Sequence, residues 1–178
     1  MSKLSKNFKK IKYDLINFIE PNIYYCYQCG KCTAGCPLTN FYEYKPHQIT
    51  ELIKLDRIDS IFDSNSIYLC LSCEICSNRC PQEINIAAIM NYLRNKSLQI
   101  GKPRIPIMSK FYKLFLKTVG RFGRSYEPAL FLGLNLISGK LFNDLDIAFS
   151  ILKKGKIKFL PEFIKGRKKM AKIIKKHM

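Results

Sequence analysis

Acidic side chains are scarce in this chain: 13 Asp and Glu stand against 31 Lys and Arg, a formal charge of +18 over 178 residues. Tryptophan is absent and histidine occurs twice. His47 and His177 belong to no constellation of reactive groups, so a solvated or structural role is expected of both rather than catalysis. Long apolar runs are missing too. The longest charge-free apolar stretch, Pro128–Gly139, ends at Lys140 after 12 residues, whereas a membrane span needs roughly 20. The basic N-terminus keeps charges throughout and no secretory apolar core follows it. No G-x-G-x-x-G is present to bind a flavin or nicotinamide. The remaining composition, 47% hydrophobic and 25% charged, excludes a wholly disordered or collagen-like chain. One domain or two small ones are expected, without a transmembrane segment and in the cytoplasm.

The charge is unevenly placed. Residues 1–95 carry 11 basic and 9 acidic side chains, and residues 96–178 carry 20 and 4. The back half therefore points to an acidic partner surface, a membrane surface or nucleic acid. Its aromatic residues follow helical spacing, which favours packing over base stacking. Docking onto a protein is the expected use, with nucleic-acid binding as the alternative.

What the front half has is cysteine. All eight fall in two runs, Cys26-x-x-Cys29-x-x-Cys32-x-x-x-Cys36-Pro37 and Cys70-x-x-Cys73-x-x-Cys76-x-x-x-Cys80-Pro81. Each cysteine of the second run lies 44 positions after its counterpart, and Ile23-Tyr24-Tyr25 is echoed by Ile67-Tyr68-Leu69. The pattern is an internal duplication, which implies two halves related by a pseudo-twofold axis. The spacing is the ferredoxin pattern for [4Fe–4S] clusters, in which the fourth cysteine of a run serves the other cluster. Two clusters are expected: one on Cys26, Cys29, Cys32 and Cys80, the other on Cys70, Cys73, Cys76 and Cys36. Zinc sites separate their ligands into pairs, and four cysteines in 11 residues crowd one tetrahedral ion. A disulfide framework needs an oxidising compartment, and none is indicated. All eight cysteines are used as ligands, so none remains as a nucleophile. Lys31 in the first run should raise that cluster's potential, and Glu74 in the second should lower the other's.

Apolar spacing predicts an all-α fold. Leu4, Phe8, Ile11, Leu15 and Phe18/Ile19 form one face, stopped by Pro21. Pro46 opens a helix bearing Ile49, Leu52 and Ile53, with the same period running on from Asp56. Asn85 is a candidate N-cap for Ile86, Ile89, Met90 and Leu93. Further on, Ile107, Phe111, Leu114 and Phe115 make a stripe that Gly120 and Gly123 interrupt. Asp144 is expected to cap a helix carrying Leu145, Ala148, Phe149 and Leu152 and ending at Gly155. Lys156–Pro161 reads as extended, and Glu162–His177 as a basic helix. The expected organisation is an N-terminal amphipathic helix over 1–21, a cluster domain over 22–100 and a basic helical extension over 101–178.

The doubled motif in a helical setting resembles the alpha-helical ferredoxins, and among them the C-subunits of heterodisulfide reductase. Residues 22–95 carry the likeness, through Tyr25-Cys26-Tyr27-Gln28-Cys29-Gly30 and the second run. Phe122-Gly123-Arg124-Ser125-Tyr126-Glu127 and the stretch Leu152–Pro161 are similar to related proteins of sulfur-metabolising microbes. The resemblance implies a non-catalytic electron-transfer subunit of an oxidoreductase. It would relay electrons between the flavoprotein A-subunit of such a complex and its cysteine-rich catalytic B-subunit. A relay subunit of another respiratory dehydrogenase is the alternative of the same class.

Overall fold

A computed structural model describes residues 3–101, 103–139 and 163–177. Among the described residues there are helices and turns but no strand. The chain divides into two compact units, Met1–Ile105 and Pro106–Met178.

In the first unit, α1 (Lys3–Asp14) runs into a π turn, Leu15–Ile19, and a 3-10 turn, Pro21–Tyr25. The first cysteine run contains α2 (Lys31–Ala34). Three helices follow: α3 (Pro46–Lys54), α4 (Ile58–Phe62) and α5 (Ser66–Leu69). The second run contains α6 (Ile75–Asn78) and leads into α7 (Ile86–Ile100). A shift of 44 residues carries the π turn onto α4, the 3-10 turn onto α5, α2 onto α6 and α3 into α7. It also carries α1 onto α3, so α3 closes the first repeat and opens the second. The core obeys the same shift. Ile23 and Ile67 are counterparts, as are Ile49 and Leu93, and all four are fully buried.

Local chemistry explains the helix ends. Pro46 stands at the first position of α3, where a missing N–H costs nothing. The Gln48 side chain accepts from the Lys45 amide at 2.9 Å. Asn85 caps α7 as expected, accepting from the Ala88 amide at 2.9 Å, and Gly101 ends it at φ 76°. Ile86, Ile89, Met90 and Leu93 are buried along its inner face. The helical period does not run on through Asp56. That residue takes φ 60°, which breaks the helix before α4. The break is held by Lys12, which contacts Asp56 Oδ1 at 2.7 Å and donates to the Lys54 carbonyl at 3.2 Å. In the first face, Ile11 and Leu15 are buried and Phe8 meets Phe62 edge-on at 5.6 Å. Phe18, however, is 75% exposed, because the wider π turn rotates the residues after Leu15 out of the α-helical register.

One buried carboxylate joins the repeats. Glu20 accepts from the Asn22 amide at 3.2 Å and from the Asn85 amide at 2.7 Å. It thereby fixes the chain before the first run against the start of α7. Glu20→Ala leaves both amides without this acceptor, and hydrogen bonds to a charged group are the strong ones. We expect a loss of about 2 kcal/mol, measured as a lowered midpoint in denaturant unfolding, with Glu20→Gln losing less.

The second unit contains α8 (Pro106–Phe122), α9 (Glu127–Ser138) and α10 (Arg167–His177). Helix α8 continues through Gly120 and stops only at Gly123, whose φ is 85°. Gly133 lets α9 close on α8, since a Cβ there would lie 2.7 Å from a Leu114 methyl. Helix α10 starts later than the spacing predicts. Gly166 takes φ 91°, so Phe163 and Ile164 precede the helix, and Phe163 stacks on Phe122 at 6.0 Å. The side chains of Leu4 and His177 lie outside the described residues. So do the helix expected after Asp144 and the extended segment Lys156–Pro161.

Candidate metal centre

Each cysteine run folds in the same unusual way. Gln28 and Gly30 take φ of 60° and 75°, and their counterparts Ser72 and Glu74 take 53° and 64°. Left-handed residues alternating with ordinary ones bend the backbone into a concave nest of N–H groups, a form that suits anions and iron–sulfur groups. The helices α2 and α6 then start directly at Gly30 and Glu74 as N-caps. Glycine takes this conformation freely, but glutamate carries a steric cost of roughly 1–2 kcal/mol. Glu74→Gly should therefore raise stability by about 1 kcal/mol, once the glycine's greater unfolded-state entropy is set against the gain. A thermal melt of the cluster-loaded protein should show an increase of a few degrees.

The ends of α2 and α6 abut. Gly35 and Arg79 are counterparts, and a Cβ on Gly35 would lie 2.5 Å from Arg79 Cδ. Each immediately precedes a fourth cysteine, so the close approach directs Cys36 and Cys80 into the opposite half. One cavity is lined by Cys26, Cys29, Cys32 and Cys80, together with Gln28 and His47. The other is lined by Cys36, Cys70, Cys73 and Cys76, together with Tyr42 and Met90. Their free spaces are about 310 and about 390 Å³, open mouths included. Ile86, buried at the start of α7, lines both.

None of the eight cysteines forms a disulfide. Among the described residues, no three His, Cys, Asp or Glu side chains converge closely enough for a single ion. The donor set is purely thiolate and spread around two concavities, which fits polynuclear iron–sulfur groups better than zinc. Cys29 and Cys73 are exposed at the mouths, whereas Cys32 is buried. Burial pushes the Cys32 thiol up, with Thr33 opposing. Burial likewise pushes the Cys76 thiol up to about 11, against hydrogen bonding from Ser77.

Polar residues behind the cysteines follow the duplication, although the cysteine spacing does not point to them. At the first cavity, Gln28 donates to Cys26 Sγ at 3.3 Å and to Thr50 Oγ1 at 3.2 Å. Thr50 is fully buried, donates to the His47 carbonyl at 2.6 Å and lies 3.4 Å from Cys26 Sγ. His47 Nδ1 shares a 2.6 Å hydrogen bond with Thr33. Burial, then Lys45, lowers the His47 pKa. His47, which stands outside any constellation in the sequence, thus lines the first cavity together with the cysteines. At the second cavity the counterparts are Ser72, Asn91 and Arg94. The Ser72 amide donates to Cys70 Sγ at 3.5 Å. Arg94 donates to the Cys70 carbonyl at 2.9 Å and to Ser72 Oγ at 2.7 Å, and also binds Asn91. The Tyr42 phenol lies beside Cys70 and Cys36, and burial is the main cause of its raised pKa. The 44-residue shift, continued past the runs to 47/91 and 50/94, identifies these residues.

Residues 25–85 match the model of the 4Fe-4S dicluster domain. The chain is 37% identical over 76 residues to the second iron-sulfur C-subunit of CoB–CoM heterodisulfide reductase of Methanocaldococcus jannaschii, covering 43% of this chain and 40% of that protein. It is 36% identical over 81 residues to the C2-subunit of the H(2)/formate:CoB-CoM heterodisulfide,ferredoxin reductase of Methanococcus maripaludis, covering 46% and 44%. The C-subunit of a ferredoxin:CoB-CoM heterodisulfide reductase of Methanosarcina acetivorans is 37% identical over 76 residues, covering 43% and 30%. The chain thus spans less than half the length of the curated relatives it matches. No helix of the described residues is long and apolar enough to cross a membrane. The chain is thus similar to a 4Fe-4S dicluster domain over residues 25–85 and, over stretches of 76 and 81 residues, to iron-sulfur C-subunits of heterodisulfide reductase.

Proposed function

We propose that this chain is an electron-relay subunit of a cytoplasmic heterodisulfide-reductase-like complex, built on an alpha-helical ferredoxin with two crossed [4Fe–4S] sites. Cys26, Cys29, Cys32 and Cys80 hold one cluster, and Cys70, Cys73, Cys76 and Cys36 hold the other. The observation that carries this reading is the composition of the two cavities: each takes three cysteines from one run and the fourth from the other. Bound there, the clusters supply one-electron oxidation and reduction without an open coordination position for substrate.

The protein's part is to bind, orient and shield. The left-handed nests aim three thiolates inward, and the meeting of Gly35 with Arg79 delivers the fourth. Gln28, Thr50, Ser72 and Arg94 fix the first cysteine of each run from behind, and such outer partners orient ligands and tune their donor strength. Ile86, Met90 and Tyr42 exclude water from the inner walls. Exposed Cys29 and Cys73 bring each site to the surface, where electrons must enter and leave. The basic residues of 106–178 supply charge for docking to acidic surfaces of the complex's flavoprotein and of its cysteine-rich catalytic protein, in sulfur metabolism.

Anaerobically purified protein should contain about eight iron and eight labile sulfide per chain, give a reduced-cluster EPR signal and co-purify with those two partners. Stoichiometric zinc without sulfide would overturn the reading.

A further inference from the structure

The duplication is strict in the cysteines and broken behind them. Position 50 is threonine and its counterpart 94 is arginine; position 47 is histidine and its counterpart 91 is asparagine. Thr50 lies 3.4 Å from Cys26 Sγ and Arg94 donates to the Cys70 carbonyl, so the first cysteine of one run is backed by a hydroxyl and that of the other by a guanidinium. Arg94 is only 8% exposed. Its nitrogens reach the Cys70 carbonyl and the Ser72 hydroxyl at 2.9 and 2.7 Å, and Ser72 in turn donates to Asn91 at 2.6 Å. The guanidinium is held by its fork of N–H donors. At the first cavity, the cation near Cys26 is Lys54, which donates to the Cys26 carbonyl at 3.1 Å and is paired with Glu51 at 3.1 Å.

We propose that Arg94 is a positioning and tuning residue that raises the reduction potential of the cluster bound by Cys36, Cys70, Cys73 and Cys76. This rests on the two-cluster reading above. Reduction adds one electron to the site, so its negative charge grows by one, and a nearby fixed positive charge stabilises the reduced form. Burial strengthens that effect, because a charge shielded from water acts through a lower dielectric. Lys31 and Glu74, the charges within the runs, are both exposed, where water and salt screen them. Arg94 therefore outweighs Glu74 at the second site, and the lowering that Glu74 alone suggests is reversed in sign. A buried arginine at a duplicated position thus adds to the electrical difference between the two sites.

The test is an anaerobic redox titration followed by EPR on the loaded full chain, with Arg94→Gln, Arg94→Lys and Thr50→Val beside the parent. Cys36→Ser marks which signal belongs to the second site. Arg94→Gln should lower that site's midpoint potential and leave the other unchanged at unaltered iron and sulfide content. Arg94→Lys, which keeps the charge, should restore most of the shift, and Thr50→Val should leave the second site alone. An unmoved potential in loaded Arg94→Gln, or an equal fall in Gln and Lys, overturns the proposal. Should the Gln variant fail to load its second cluster, the Lys variant decides: a potential near the parent's supports the role of charge, and a fall refutes it. A parent protein without two clusters would instead refute the reading beneath.

Discussion

Cys80→Ser is expected to disrupt the cluster beside Cys26, Cys29 and Cys32 while leaving the one beside Cys70, Cys73 and Cys76 with four sulfurs. The local alternative predicts the reverse, because Cys80 is close in sequence to Cys76 and 48 residues or more from Cys26, Cys29 and Cys32. The two outcomes are separable by EPR and by iron content. Under the crossed arrangement, Cys36→Ser gives the complementary pattern. In that arrangement each fourth cysteine would also tie the halves of the first unit through metal. A tie closing a loop of that length removes about 4 kcal/mol of unfolded-state entropy. Either variant should thus lose thermal stability beyond the local weakening of one ligand. A Cys80→Ser protein that loses only the second-run cluster, with the first intact, would reverse the ligand assignment.

Removing both clusters with a chelator should have the largest effect on stability. Small domains are stable by about 5–15 kcal/mol in total, and two metal ties at about 4 kcal/mol each are a large part of that. The apolar core of Ile23, Ile49, Ile67 and Leu93 remains, but the inner walls formed by Ile86, Tyr42 and Met90 would face empty space or water. Apo protein should lose cooperative unfolding of residues 1–105 and gain protease sensitivity around both cysteine runs, and restored iron and sulfide should reverse both changes. Limited proteolysis and circular dichroism of matched apo and loaded samples measure this. An apo form that melts at the same temperature, with the same protected fragments, would show that the clusters are passengers on a preformed fold.

Much of the first unit was legible because its information is periodic. The 44-residue repeat identified the two cysteine runs that line the cavities, Pro46 and Asn85 marked helix starts, and the apolar stripe of α7 named its buried residues. What escaped was information carried by single backbone angles. Asp56 has an ordinary helical neighbourhood, but a positive φ ends the helix there. The π turn after Asp14 turns Phe18 outward although its spacing matches Ile11 and Leu15. Gly166 delays α10 in the same way. The polar residues behind the cysteines were hidden for another reason. Thr50 and Arg94 have unlike side chains, so similarity between the repeats does not single them out; only their common distance from the runs does. Lys31 and Glu74 drew attention by lying inside the runs, yet exposure weakens them relative to a buried charge such as Arg94.

Iron-edge anomalous diffraction from anaerobically grown crystals tests the crossed ligation most directly. We predict two separate iron clusters, one bonded to the sulfurs of Cys26, Cys29, Cys32 and Cys80 and the other to those of Cys70, Cys73, Cys76 and Cys36. A cluster whose four sulfurs all come from residues 26–36, or a single metal ion in either cavity, would contradict the account.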